Sequence, residues 1–177
     1  MKGSGPPPTG RSRITGPCGA VALCWRGDRL VGVDLVPGRR DCDPLPAALA
    51  ATAALVADPR TAAGGGVPLR LLTGMDRDGF AWRVLTTLRR RVPQGRVVSY
   101  GRLAEMAGCP GGGRAVARVM ATNPFPLVFP CHRVVRAGGA VGGFMAGRRG
   151  GVARKVRLLA REGVAVRGGK VPRESMA

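Results

Sequence analysis

Aromatic side chains make up only 4% of the 177 residues, and the chain has a single tyrosine, Tyr100, and a single histidine, His132. One histidine cannot complete the usual mixed zinc sets. The five cysteines (Cys18, Cys24, Cys42, Cys109, Cys131) are odd in number and contain no CxxC pair, which argues against both a conventional zinc site and a disulfide framework. No metal and no cofactor are expected. No run of about eighteen apolar residues occurs, so no membrane-spanning helix is expected. The first residues lack an apolar h-region and carry Pro6-Pro7-Pro8. Residues 1–12 therefore read as a disordered leader rather than a signal peptide, and a cytoplasmic protein is expected.

Acidic residues are the other scarcity. Twenty-nine Lys and Arg face ten Asp and Glu, and the imbalance is local. Residues 1–79 hold ten basic and seven acidic side chains, whereas residues 80–177 hold nineteen and three. A polyanion partner for the second half follows, nucleic acid being the commonest. A compositional bias toward arginine is the plainer explanation, but it should not spare the first half.

The first half reads as an α+β support module over residues 13–78. Runs from Gly19 to Trp25 and from Arg29 to Val36, joined by Arg26-Gly27-Asp28, predict a hairpin. Pro37 to Pro46 reads as a loop, Ala47 to Ala57 as a helix, Gly64 to Gly66 as a break and Leu69 to Leu72 as a third strand. Composition changes near Gly79, where a mostly α domain over residues 79–164 is expected to begin. Phe80, Val84, Leu85, Leu88 and Val92 form a helical stripe. A short helix from Arg102 to Ala107, with Ser99 a candidate cap, is followed by a turn over Gly108 to Gly112. The next helix, from Gly113 to Thr122, places Ala115, Val116, Val119 and Met120 on one face and Arg114 and Arg118 on the other. Short helix, glycine turn and basic helix outline a helix-turn-helix. Val152 to Arg161 reads as a basic helix with Val152, Val156, Leu159 and Ala160 inward, stopped by Gly163. Residues 165–177 read as a loose basic tail.

The chemistry concentrates at Pro130-Cys131-His132-Arg133-Val134-Val135, after the apolar, proline-studded run Asn123 to Phe129. Prolines fix φ and remove donors, so this lead-in is expected to be stiff and extended. A thiol beside an imidazole suggests an activated nucleophile, while most free cysteines are simply small buried hydrophobes. Adjacent side chains diverge, so direct contact of Cys131 with His132 is disfavoured and a water bridge is needed. Glu162 could orient the imidazole from its other side. A basic helix-turn-helix beside an activated thiol suggests a nucleophile aimed at DNA, and a base in a duplex must be flipped out to be reached.

On these residues the stretch from Phe80 to Gly163 resembles the catalytic domain of the O6-alkylguanine-DNA alkyltransferases. The resemblance rests on Val92-Pro93-Gln94-Gly95-Arg96-Val97-Val98-Ser99-Tyr100-Gly101, Gly113-Arg114-Ala115-Val116, Asn123-Pro124, Pro130 to Val135, and Leu158-Leu159-Ala160-Arg161-Glu162-Gly163, in that order. It implies an α+β N-terminal module, a small antiparallel sheet with a helix, before a mostly α domain with a winged-helix-like helix-turn-helix. It implies a monomer that binds double-stranded DNA through the minor groove and transfers an alkyl group, once, from O6-alkylguanine (or O4-alkylthymine) to Cys131. The implied catalytic residues are Cys131, His132, Glu162, Tyr100 and Asn123. Arg114, Tyr100, Ala115, Ser99 and Arg118 would contact DNA, with Arg114 filling the gap left by the flipped base. Met120, Pro126, Val134, Phe144 and Met145 would line the pocket. One departure concerns the loop Met145 to Gly151, longer and more basic than the family's usual short polar loop. Three other readings compete: a non-reactive, damage-binding relative, a helix-turn-helix regulator with an incidental cysteine, and a cysteine hydrolase.

Overall fold

The computed structural model describes residues 9–16, 19–35, 43–58 and 66–177. The leader's first eight residues, Cys18, Cys42, most of the Pro37–Pro46 loop and Gly64-Gly65 lie outside the described residues. Three strands, β1 (Gly10–Gly16), β2 (Gly19–Arg26) and β3 (Arg29–Asp34), form an antiparallel sheet in the order β1-β2-β3. The β2–β3 hairpin is as the sequence predicts. Strand β1 is not, and residues 10–12, expected in the leader, belong to it. Its inward face carries Gly10 and Ser12 instead of apolar residues because Trp25 fills that space. The indole N–H donates to Ser12 Oγ at 2.8 Å, and a Cβ on Gly10 would fall 2.1 Å from the Trp25 ring. A single 3-10 turn, Ala47–Leu49, leads into α1 (Ala50–Ala57). The predicted third strand at Leu69 to Leu72 is a 3-10 turn, Leu69–Leu71, that meets the sheet at the Leu30–Leu72 bridge and where Arg29 Nη1 donates to Arg70 O. Pro68 precedes that turn, and β3 spends its free edge elsewhere.

Helix α2 (Phe80–Arg91) buries Val84, Leu85 and Leu88, the predicted stripe. Strand β4 (Val98–Ser99) leads into α3 (Tyr100–Met106), two residues earlier than expected. Ser99 Oγ accepts the Arg102 N–H at 3.1 Å and caps the helix. After the turn, α4 (Gly113–Ala121) buries Val116, Val119 and Met120. Ala115, assigned to that inward face by pattern, is exposed beside Arg114 and Arg118. Strand β5 (Val134–Val135) pairs in parallel with β4, Val98 opposite Val134 and Ser99 opposite Val135.

Helix α5 (Gly151–Arg161) departs from its predicted face. Gly151, Lys155, Leu158 and Leu159 are buried, whereas Val152 is 51% exposed and Ala160 is exposed. The face rotates by one residue because Lys155 Nζ is drawn inward to two carbonyls, Val134 O and Val141 O, each at 2.6 Å. Gly163, at φ 84°, ends the helix as predicted, with Gly163 N–H on Ala160 O and Val164 N–H on Leu159 O. Beyond it the chain is not a loose tail. Val97 N–H donates to Ser175 O and Ala177 N–H to Val97 O, both at 2.8 Å. Arg96 donates to Glu174 O and Met176 O. Val164 and Val171 enter a small core with Val97, Val135 and Leu159. Apolar residues spaced among the tail's charges make this docking possible.

Gly79 separates two sets of elements but not two cores. Leu23, Leu30 and Val33 from the sheet belong to one buried cluster with Leu88, Leu103, Val116 and Phe129. The sheet also reaches the loop after α4 directly, since Val33 N–H donates to Pro124 O at 2.8 Å. Arg154 on α5 donates to Leu35 O and Ala20 O. Among the described residues Cys109 and Cys131 are free thiols, no group of three or more His, Cys, Asp or Glu gathers as metal ligands, and no helix is long and apolar enough to cross a membrane.

Candidate active site

The segment leading to Cys131 is folded back rather than extended. Leu127 takes φ 75°, an uncommon region for a branched side chain. Phe129 N–H bonds to Phe125 O at 2.9 Å, and Pro126 bridges to Phe129. Asn123 clamps both ends of this turn. Its Nδ2 donates to Phe129 O and its Oδ1 accepts the Phe125 N–H, each at 3.0 Å. Packing holds the turn as well, with the Trp82 and Phe125 rings both edge-on to Phe129. Proline stiffness is therefore spent on a tight turn, which sequence pattern alone does not distinguish from an extended run.

The turn delivers Cys131 to the start of a 3-10 turn, Cys131–Arg133. Cys131 is 7% exposed and His132 is fully buried. The imidazole makes no hydrogen bond to the thiol. Its Nε2 meets Glu162 Oε1 at 2.9 Å, and its Nδ1 is buried without a protein partner. Glu162, far from being a solvated helix-end carboxylate, is 4% exposed. Arg133 completes its shell, with Nε on Oε2 at 2.7 Å and Nη2 on Oε1 at 2.8 Å, while Arg133 Nη1 donates to Val92 O. A bidentate guanidinium is the strong form of this pairing. It compensates a carboxylate placed unfavourably at a helix C-terminus. Arg133 was not among the expected functional residues. Its place beside His132 in sequence was visible, but the inward turn of a charged side chain was not.

The electrostatics assign states. Burial pushes the Glu162 carboxyl up, but the hydrogen bonds from His132 and Arg133 and the Arg133 charge outweigh it and hold the carboxyl below its ordinary range. Burial pushes His132 down, against the pull of Glu162, so the ring is neutral at physiological pH. Burial pushes the Cys131 thiol up. The Asn123 side chain, the Lys155 charge and the backbone N–H groups of Cys131 and His132 oppose this without cancelling it. The resting thiol therefore holds its proton, and a neutral imidazole is present to take it. Burial also lowers Lys155 to about 8, with the neighbouring Cys131 pulling the other way. Lys155 is the second residue that sequence reasoning missed, since a lysine on an amphipathic helix ordinarily reads as solvated. Replacing it with methionine is expected to move the pH dependence of thiol alkylation upward by about one unit, roughly a tenfold loss of rate near neutrality. Rates of adduct formation across pH 6–10 (a ~4-unit span around the thiol range) check this, and an unshifted profile would show that the lysine only fastens two carbonyls.

Two cavities meet at the sulfur. The smaller, about 170 Å³, lies between Tyr100, Ala117 and Gly147. The larger, about 930 Å³, opens toward β3 and Met75. Met120, Cys131, Phe144 and Met145 border both. Pro126 borders the larger. Val134 lines neither; it is buried in the β4–β5 ladder, where its carbonyl holds Lys155. Burial raises the Tyr100 phenol, as does the nearby Cys131, against the charge of Arg136. The phenol is thus a donor at neutral pH. Arg114, Ala115 and Arg118 stand exposed on α4, away from the buried network.

Residues 79–164 match the family model described as 6-O-methylguanine DNA methyltransferase, DNA binding domain. The methylated-DNA–protein-cysteine methyltransferase of Mus musculus is 45% identical over 105 residues, 58% of this chain and 48% of that protein. The Homo sapiens protein of the same name is 46% identical over 87 residues, 49% and 40% of the two chains. The chain thus spans about half the length, or less, of these curated relatives. Among solved structures, Mycobacterium tuberculosis OGT in complex with DNA superposes with a TM-score of 0.65 at 30% identity, over 88% of this chain and 93% of that one. The O6-methylguanine-DNA methyltransferase of Pyrococcus kodakaraensis shares the fold, with a TM-score of 0.64 over 88% and 99% at 24% identity. With its sheet, its helix-turn-helix and its buried cysteine–histidine–glutamate site, the chain belongs to the O6-methylguanine DNA methyltransferase family.

Proposed function

We propose that the protein repairs DNA by moving an alkyl group from O6 of guanine to Cys131, acting as a monomer through the minor groove. The observation that carries this reading is the buried network: a protonated thiol, a neutral imidazole fixed by an ionised carboxylate, and a cavity of base size at the sulfur. The Cys131 proton passes by way of a water to His132 Nδ1, and Glu162 stabilises the imidazolium that forms. The thiolate attacks the alkyl carbon in line. The S–C bond forms, the C–O bond breaks, and the electron pair returns to guanine, whose new negative charge Tyr100 relieves by donating its phenol hydrogen. A thioether offers no leaving route, so each molecule acts once. Arg114 fills the stack after the base is flipped, and Ser99, Ala115 and Arg118 complete the DNA-facing surface. Asn123 holds the turn that carries the thiol.

The presence of Cys131 disfavours the non-reactive, damage-binding reading. The test is incubation with a duplex carrying one O6-methylguanine, read by mass spectrometry. One methyl group per molecule on Cys131, no further turnover, and none with Cys131→Ala are the expected results. Tight binding to the duplex with no transfer would favour the damage-binding reading, and repeated turnover a hydrolase.

A further inference from the structure

Beyond Gly163 the chain forms a hairpin that neither the reactive thiol nor the helix-turn-helix uses. Arg167 N–H donates to Lys170 O at 2.9 Å, and Lys170 N–H donates to Arg167 O at 3.0 Å. Gly168 and Gly169 form its tip at φ 54° and 73°, the positive pair that this two-residue turn requires. Side chains alternate across such a ribbon. Val166 and Val171 pack into the small core with Val97 and Leu159, so Arg167 and Lys170 share the opposite, exposed face. The hairpin is fastened to the body. Val141 N–H donates to Gly169 O and Val171 N–H to Gly139 O, both at 2.9 Å, and Ala140 pairs with Lys170. It lies outside residues 79–164, the stretch that matches the family's DNA binding domain.

Two like charges set directly opposite each other weaken a hairpin, and no carboxylate relieves this pair. Of the three acidic residues in residues 80–177, Glu162 is buried with His132 and Arg133, and Glu105 pairs with Arg102. Glu174, Arg167 and Lys170 are exposed, and none forms an ion pair among the described residues. Backbone contacts connect the hairpin tip to the helix-turn-helix. Ser99, the cap of α3, is opposite Val135 in the β4–β5 ladder. Arg136 follows Val135, is exposed, and its N–H donates to Ala140 O at 2.8 Å. Ala140 in turn pairs with Lys170. Arg136 lies close enough to Tyr100 and Lys155 for its charge to act on both. Unpaired cations therefore continue outward from the Tyr100 side of the site to the hairpin.

We infer that residues 166–171 act as a wing on DNA, setting Arg167 and Lys170 on backbone phosphates beside the stretch of duplex held by the helix-turn-helix. This rests on the DNA-repair reading and adds a contact surface to it. Phosphate contacts position a protein without reading sequence, so the wing lengthens the footprint and fixes orientation at any lesion. Both strands of the hairpin are already fastened, so binding orders little beyond two side chains. The hairpin stands to one side of the helix-turn-helix, and the added contact falls on one flank of the lesion.

Fluorescence-anisotropy titrations on a duplex carrying one O6-methylguanine, at about 50 to 200 mM salt, test the wing. The double variant Arg167→Gln, Lys170→Gln is expected to lower the slope of log affinity against log salt by about two and to weaken binding about tenfold at the lower salt. The double variant Arg167→Lys, Lys170→Arg keeps both charges and is expected to bind within about twofold of the wild type. Thermal unfolding of each variant reports whether its fold is intact. The duplex is then cut back from each flank of the lesion in turn. One cut is expected to abolish the difference between the wild type and the glutamine variant, and the other to leave it. An unchanged salt slope in the glutamine variant would overturn the inference. A loss of affinity shared by the charge-preserving variant would do the same, since the hairpin would then act through shape. A difference that survives both cuts would overturn the placement on one flank. In each of these cases the wild type still binds and repairs the duplex, so the wing alone falls. A wild type that binds no duplex would overturn the DNA-repair reading and the wing with it.

Discussion

Glu162→Gln is expected to destabilise the protein by about 3–5 kcal/mol and to slow alkyl transfer by about a hundredfold or more. Both effects come from one carboxylate. Its two oxygens accept from His132 Nε2 and from Arg133 Nε and Nη2, with all three side chains at most 1% exposed. Glutamine keeps the volume but removes the charge, and its amide N–H₂ faces donors. Arg133 is then buried without a counter-ion, the costly case for a guanidinium. His132 loses the acceptor that fixes its tautomer and stabilises its charged form, so it no longer takes the thiol proton readily. Denaturant unfolding and single-turnover transfer measure the two losses separately. The pH dependence supplies a further check. The Glu162 carboxyl is held below its ordinary range in the folded state. Its contribution is therefore present above the ordinary carboxylate value of about 4.3 and fades as pH falls through the folded value. The wild type should lose this increment on acidification and the glutamine variant should not. A variant that unfolds normally and transfers at the wild-type rate would remove Glu162 from the mechanism.

Arg114→Ala is expected to slow transfer from duplex DNA by about a hundredfold while changing reaction with the free alkylated base little. The figure corresponds to a few kcal/mol of unstacking that an intercalated guanidinium offsets. Arg114 is exposed in the first turn of α4, outside the buried network, so its loss leaves the sulfur's surroundings intact. Rates on O6-benzylguanine and on an O6-methylguanine duplex, measured side by side, give the ratio. Equal losses on both substrates would refute a base-flipping role, and a uniform fall in affinity with normal transfer would reduce Arg114 to a phosphate contact.

The elements legible in the sequence are those whose period is carried by apolar residues. The α2 stripe, the β2–β3 hairpin and the two helices of the helix-turn-helix all belong to this group. Strand β1 was illegible because its inward positions are Gly10 and Ser12, chosen to accommodate Trp25 rather than to be buried as hydrophobes. The face of α5 was misread for the opposite reason: its decisive inward residue is a lysine. Cys131, His132 and Glu162 could be named from spacing and resemblance. Arg133 and Lys155 could not, since their burial depends on carbonyls and a carboxylate supplied from distant segments. The tail's docking likewise depends on an edge at Val97 that is defined only once the chain has folded.

Arg133 draws together three stretches of chain that are far apart in sequence. Its partners are Val92 O, forty-one residues earlier, and Glu162, twenty-nine residues later. No two of these segments can dock without the third unless a guanidinium or a carboxylate enters an apolar interior alone, at several kcal/mol. Partly assembled forms of this half are thereby penalised, and the cost falls on intermediates instead of on the finished fold. The reactive sulfur is consequently shaped in the same cooperative step that completes the core, and while the chain is still incomplete its thiol remains chemically ordinary.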